Sequence, residues 1–384
     1  MQERRRFERE LCELGLTGSA EIRWARGETT PTPIRLTHLH VRKALLGGTL
    51  VADTAPGAMD PTRMRPGYVA VAHPARQSLQ KAVDKLINDH YLAAVVPNVH
   101  LRLALVDLTG LKLHAPVFSG FWAFGGHAAM EGASLTKILA LYALLQLRFD
   151  LNARAKRDGI ISANALITAA TNDWTKEGLT ALPKFKSLFK FIERAGQPVV
   201  ARIKVGTAIH HNYIARGIIL LLGFEYIGSV ALQSGLYDET QGGLWLNSAY
   251  LKPRVSWTTS PFPHLFPHNA TALAVATFFT LLAQGRLADQ ATSDEIATIL
   301  KAKKCMDNGQ LDGINTLSGT QRPSANKCGI GDGEPLFHDA ILVHRKPGAR
   351  DLAYAVALLT REPPALAFPT LGKRLDALID AANP

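Results

Sequence analysis

The chain has only three cysteines in 384 residues, Cys12, Cys305 and Cys328. A small, odd number argues against a disulfide framework and suits a reducing compartment, with a Cys305 to Cys328 bridge the one pairing left open. There is no run of about 18 uncharged apolar residues. The nearest approach, "GIILLLGFEYIGSVAL", is cut by Glu225, so no membrane span is expected. The opening "MQERRRFERELCELG" carries arginines with no apolar stretch behind them, which fits neither a general secretory nor a twin-arginine signal. A cytoplasmic protein is expected, or an exported one whose leader has been removed. Signatures of metals and cofactors are missing too. His264 and His268, in "HLFPH", have a proline between them and lack the helical frame of a zinc pair. No glycine-rich phosphate loop or dinucleotide fingerprint follows a predicted strand. No metal, no cofactor and no nucleic-acid partner is expected, and no internal repeat or low-complexity tract is visible.

What remains is the composition of a soluble globular protein, 47% apolar and 20% charged. The length exceeds one ordinary domain and falls short of three, so a large catalytic unit with an extension is expected. The formal charge of +11 is uneven: from Arg148 to Lys204 there are eleven basic residues against five acidic ones. That stretch is a candidate field for anionic partners. Within it "KFKSLFKFIER", Lys184 to Arg194, sets Phe185, Leu188, Phe189 and Ile192 at helical spacing with Lys186 and Lys190 off the stripe. Three readings stand: a core-facing helix with solvated lysines, a surface that attracts an acidic substrate, or one that meets a membrane or nucleic acid.

Residues 1 to about 75 are rich in Arg, Thr, Pro and Gly and end in "DTAPGAMDPTRMRPG", whose turn residues suggest an extension or linker. A catalytic domain is expected over 76–384. "SLQKAVDKLINDHYLAAV" repeats at helical spacing, "HLRLALVDLTG" alternates as a strand, and "LKLHAPVF" would complete a hairpin. The block from about 138 to 268 reads as a helical subdomain, with "NALITAATNDW" and "HNYIARGIILLLGFEYIGSVAL" as its patterns. "NATALAVATFFTLLAQGRL" is a buried helix with Asn269 or Thr271 as N-cap and Gly285 near its end. After it "ANKCGIG", "HDAILVHR" and "DLAYAVALLTR" read as strands and "LGKRLDALIDAA" as a closing helix. Strand groups far apart in sequence would form one antiparallel sheet with helices packed on it.

A serine hydroxyl is a poor nucleophile until a neighbour takes its proton, and residues three apart on a helix face the same way. Ser134 and Lys137, in "SLTK", meet that need, although S-x-x-K alone is a weak signal. "HHN" at His210 to Asn212 and "KCG" at Lys327 to Gly329 follow in order. Together these motifs resemble the serine beta-lactamase and penicillin-binding protein superfamily, whose signatures are S-x-x-K, S-D-N or Y-x-N, and K-T-G. "VDLTG", "GLYD" and the three C-terminal strands extend the resemblance over roughly Ser78 to the C-terminus. It implies an α/β (α+β) fold: a five-stranded antiparallel sheet flanked by helices, plus an all-helical subdomain, behind the N-terminal extension. It implies Ser134 as nucleophile, Lys137 as the amine that takes its proton, and Lys327 as an electrostatic partner or receptor for an anionic substrate group. The backbone N–H groups of Ser134 and Ile330 would form the oxyanion hole, and Gly329 would let substrate lie against its strand.

The pattern departs from the family at three places. His210 stands where a hydroxyl relays a proton, a task an imidazole can also perform, while Asn212 keeps the asparagine that would contact Lys137 or a substrate carbonyl. Cys328 replaces the hydroxyl that helps to hold a substrate carboxylate, and a thiol is a weak donor. No acidic residue occurs from Thr240 to Ala288, and Asn247 lies about where the deacylating glutamate would fall. Efficient penicillin turnover by the class A route is therefore not expected. The leading expectation is a serine hydrolase acting on an ester or amide of a small metabolite through acyl-Ser134. An acyltransferase with the same nucleophile, a beta-lactamase or penicillin-binding activity, and a non-catalytic binding module remain as alternatives. The oligomeric state is not legible.

Overall fold

The three apolar runs near the C-terminus and the alternating run at His100 come together as one sheet. The computed structural model describes residues 74–87, 89, 100–109, 120–124, 129–176, 188–203, 205–238, 242–258, 260, 266–301, 324–331, 335–345, 351–361 and 368–383. Along the chain, helix α1 (Pro74–Ile87) precedes strands β1 (His100–Asp107) and β2 (Gly120–Phe124). Helices α2 (Lys137–Arg157), α3 (Ala163–Lys176), α4 (Asn212–Leu222) and α5 (Phe224–Gln233) follow. Helices α6 (Ala272–Ala283) and α7 (Gln290–Leu300) lead to strands β3 (Ala325–Ile330), β4 (Leu336–Arg345) and β5 (Leu352–Arg361), and α8 (Phe368–Ala382) closes the fold. The chain divides into two compact units. Lys137–Ser234 with Trp245–His268 belong to a mainly helical unit, and the segment ending at Thr136, Gly235–Leu244 and Asn269–Pro384 to a sheet unit.

In the sheet unit five antiparallel strands run in the order β3-β4-β5-β1-β2. β5 is apolar almost throughout because it is covered on both faces. One face carries Leu103, Leu105, Ile341, Val343, Val356 and Leu358, packed with Val83 and Ile87 of α1 and Leu371, Leu375 and Ile379 of α8. On the other, the register aligns Lys327, Ala340, Ala357, Ala104 and Ala123 in one row across all five strands. The short side chains of Ala340, Ala357 and Ala104 let α6, "ALAVATFFTLLA", lie close against β5, β1 and β4. Thr271 rather than Asn269 caps α6, its Oγ1 accepting from the N–H of Ala274 at 3.1 Å. Asp289 caps α7 in the same way.

The helical unit holds two departures from the pattern read in the sequence. The run "HNYIARGIILLLGFEYIGSVAL" is two helices, α4 and α5, bent by 89° where Gly223 sits at a φ of +81°. Among the described residues no single helix is long and apolar enough to cross a membrane. The unit is also not wholly helical, since Lys190–Arg194 and Gln197–Arg202 pair as an antiparallel hairpin. A helical stripe was expected over Lys184 to Arg194. Its apolar spacing was too short to separate helix from strand, while Gly196 at a φ of +68° makes the turn and the two valines that follow favour a strand. Lys184–Ser187 lie outside the described residues. So do the second strand expected at "LKLHAPVF" and residues 1–73 of the expected extension; the next described strand after β1 is Gly120–Phe124, which pairs with it.

Candidate active site

Ser134 lies in a 3-10 turn, Ala133–Thr136, the last element of the sheet unit before α2 begins. The turn is pinned by its own backbone and by its neighbours. Leu135 N–H donates to Gly132 O at 2.9 Å, Thr136 Oγ1 to Ala133 O at 3.0 Å, and Ala133 N–H to the Glu131 carboxylate at 3.2 Å. Ala133 is held at a φ of +43°, a left-handed conformation in which a side chain costs energy. Ser134 itself is half-buried amid buried neighbours.

The turn packs on β3, an edge strand of the sheet among the described residues. A Cβ added at Gly329 would lie 2.8 Å from Gly132 O and 3.0 Å from Leu135 N. The structure thus sets the backbone of the serine turn against Gly329, a second reason for glycine beside room for a substrate. The bond from Gly331 N–H to Leu336 O fixes the alternation of the ladder. It turns the N–H of Ile330 and the C=O of Cys328 away from β4, toward the outer side of β3.

Lys327 is buried, and its ammonium donates to the carbonyl of Cys328 at 2.5 Å. Burial pulls its pKa down to about 8 against the attraction of Asp339. Asp339 is also buried, and neither carboxylate oxygen has a hydrogen-bond partner. Burial pushes its pKa well above the usual carboxylate range despite Lys327. Desolvation outweighs mutual attraction on both sides: it weakens the charged form of each partner, yet with a pKa of about 8 Lys327 keeps its proton at neutral pH.

Cys328 requires a correction on two counts. It is disulfide-bonded, its partner lying outside the described residues. A bridge therefore exists where the odd cysteine number argued against one; count alone does not give pairing. Its side chain also packs in the cluster under α1 and α8, directly across the ladder from Asp339. A thiol facing a substrate carboxylate is not what this strand presents.

Sequence reasoning missed His338. It is wholly buried, and its two ring nitrogens hold two strands of backbone together. Nδ1 accepts from the N–H of Thr360 at 3.1 Å, which leaves Nε2 to donate to Glu131 O at 2.7 Å. The imidazole ties the segment before the serine turn to the sheet and must be neutral to do so. Burial accordingly lowers its pKa to about 4. The only signal in the sequence was a histidine inside an apolar strand, "FHDAILVH", which is equally the mark of a satisfied core residue.

In the helical unit, Lys137 opens α2 and is buried. Its Nζ donates to the backbone carbonyl of His210 at 2.8 Å and lies 5.0 Å from the ring centroid of Tyr250. His210, half-buried, ends the 3-10 turn Gly206–His210; His211 is exposed at the N-cap position of α4, and Asn212 is the first residue of that helix. Asn247 is held by the loop it sits in: its Oδ1 accepts from Trp245 Nε1 at 3.1 Å, and its N–H donates to Pro267 O at 2.9 Å. The site residues thus form two groups, Ser134 with Gly329 and Ile330 in the sheet unit and Lys137 with His210 in the helical unit. Among the described residues no group of three or more His, Cys, Asp or Glu side chains could hold a metal ion.

No family model matches the chain, and no curated protein matches it either. Among solved structures it is similar to PBP-A, at 15% identity over 82% of this chain and 97% of that one, with a TM-score of 0.44. It is similar to the beta-lactamase from Sphaerobacter thermophilus, at 16% identity over 80% and 97% of the two chains, with a TM-score of 0.44. A class A beta-lactamase from Bacteroides cellulosilyticus is 12% identical over 80% and 99%, with a TM-score of 0.45. The observed fold, five antiparallel strands flanked by helices plus a mainly helical unit, is the one that the motif resemblance implied.

Proposed function

We propose that residues 76–384 form a serine hydrolase that cleaves an ester or amide of a small metabolite through an acyl-enzyme on Ser134. The observation that carries this reading is the serine turn packed against Gly329 of β3, a strand whose ladder leaves the N–H of Ile330 pointing outward. Ser134 Oγ attacks the carbonyl carbon, and its proton passes to the amine of Lys137, three residues on. The N–H groups of Ser134 and Ile330 receive the oxyanion. The proton then goes to the departing alcohol or amine, with His210 as relay and Asn212 beside it, and water releases the acid from Ser134. Lys327 supplies positive charge to the serine side and receives an anionic group of the substrate.

Penicillin turnover is disfavoured. Cys328 is committed to a disulfide and offers no donor to a carboxylate, no acidic residue stands between Thr240 and Ala288 to activate water, and the amide of Asn247 is engaged by Trp245. Mixing the protein with activated esters and one penicillin, followed by intact mass, tests the reading. A transient adduct absent from Ser134→Ala is expected with esters, and its lifetime with and without added amines separates hydrolysis from acyl transfer. No adduct with any ester would turn the reading toward a binding module.

A further inference from the structure

Two rings stand at Lys137 that the chemistry above does not use. Its Nζ lies over the ring of Tyr250, and that ring is stacked on His268, centroids 4.2 Å apart and planes 12° from parallel. Lys137, Tyr250 and His268 are all buried. An aromatic face carries negative potential, so an ammonium over it is attracted, and the attraction grows as water is excluded. The ring is not free to follow the amine. The carbonyl of Tyr250 accepts from Arg216 Nη1 at 2.8 Å, Ala249 N–H donates to Val255 O at 2.8 Å, and Leu251 is held at a φ of +69°.

We infer that Tyr250 is a positioning residue for Lys137: its fixed ring face, backed by His268, holds the amine at the His210 carbonyl and favours its protonated form. This role rests on the proposed chemistry at Ser134, in which Lys137 takes the serine proton. Burial alone drives a lysine toward the neutral amine. The ring face and the carbonyl work the other way, so the amine can both accept a proton and part with it. Among the described residues His210, half-buried, is the titratable residue whose backbone meets the amine. Arg216 is bound to the Tyr250 and Leu251 carbonyls, Tyr226 to Asp150 of α2, and Glu225 begins α5; Arg202 of the hairpin is exposed.

The test replaces Tyr250 by phenylalanine and then by phenylalanines bearing one, two and three ring fluorines. Fluorine drains the negative potential from the face while nearly preserving size. The ionisation of Lys137 is followed by NMR in protein made with isotope-labelled lysine, its signal identified by loss in Lys137→Arg. Tyr250→Phe is expected to keep the titration midpoint, and the fluorinated series to lower it stepwise by about half to one pH unit. Tyr250→Leu removes the face and gives the largest shift. Folded variants whose midpoint ignores fluorination overturn the inference. Acylation of Ser134 is measured on the same proteins: a graded shift without acylation in the parent keeps this role for Tyr250 and removes the hydrolase, whereas acylation with a flat series does the reverse.

Discussion

Substituting Gly329 by alanine puts one methyl group between the serine turn and the sheet. On propensity alone an alanine in a strand should gain about 0.5–1 kcal/mol over glycine. Here the new Cβ would stand 2.8 Å from Gly132 O, 3.0 Å from Leu135 N and 3.2 Å from His338 Cδ2. The first two are backbone atoms joined by a hydrogen bond, and the third belongs to an imidazole fixed at both nitrogens. None is the end of a flexible side chain, so the turn itself has to move by roughly half an ångström. Overpacking of this kind costs about 1–3 kcal/mol, which after the propensity gain leaves a net loss of up to about 2.5 kcal/mol. The effect on chemistry should be larger than on stability, because a displacement approaching 1 Å at a reacting group costs on the order of a hundredfold in rate. Urea unfolding gives the first quantity and the rate of adduct formation at Ser134 the second. A Gly329→Ala protein as stable as the parent and acylated at the same rate would refute the close approach on which the site is built.

Three further outcomes follow from groups within the two units. The imidazole of His338 has its pKa lowered from 6.5 to about 4, so below pH 6.5 the unfolded chain takes up the proton first. The stability it contributes is present in full above that pH and is lost as pH falls toward 4, about 2 kcal/mol of it between about pH 7 and 5. His338→Gln should flatten that slope, and an unchanged slope in urea titrations would count against the neutral, doubly bonded ring. Glu225 runs the opposite way: burial raises its pKa from 4.5 to about 7, the folded state keeps the proton longer, and stability is lost as pH rises through that window. Glu225→Gln should therefore spare the protein about 2–3 kcal/mol of loss between about pH 5 and 8, and equal losses in both proteins would contradict its burial. Ala133→Gly relieves a left-handed alanine and should stabilise the fold by about 1 kcal/mol while slowing acylation, since the turn then holds Ser134 less firmly. A loss of stability would show that Ala133 is unstrained.

Much of this fold was legible because its signals were long. The strands at Ala325, Leu336 and Leu352 and the helix at Ala272 are apolar over lengths that admit one reading, and Thr271 with Gly285 punctuates the helix as capping chemistry requires. Short signals failed. In Lys184 to Arg194 a few aromatic residues imitated a helical stripe, and only the turn at Gly196 and the partner strand beyond it decided the matter. The break at Gly223 was visible as a residue, but nothing local distinguishes a helical glycine from one at positive φ. The S-x-x-K, H-H-N and K-C-G triplets were legible as residue types at set spacings, and they fall on a turn before a helix, a helix start and a strand. His338, Tyr250 and Asp339 were not legible, because each acts through a contact between segments far apart in sequence. The disulfide of Cys328 was hidden for the same reason: pairing is a property of the fold, and an odd number of cysteines only counts them.

The most direct test of the account is to find which side chain carries the acyl group. The protein is quenched during reaction with an activated ester, digested, and the modified peptide sequenced by mass spectrometry, in the parent and in Lys137→Ala. The acyl group is expected on Ser134 in the parent and on no residue in Lys137→Ala that remains folded. An acyl group on another residue, or full labelling of Ser134 without Lys137, would contradict the assignment of Ser134 and Lys137 as nucleophile and base.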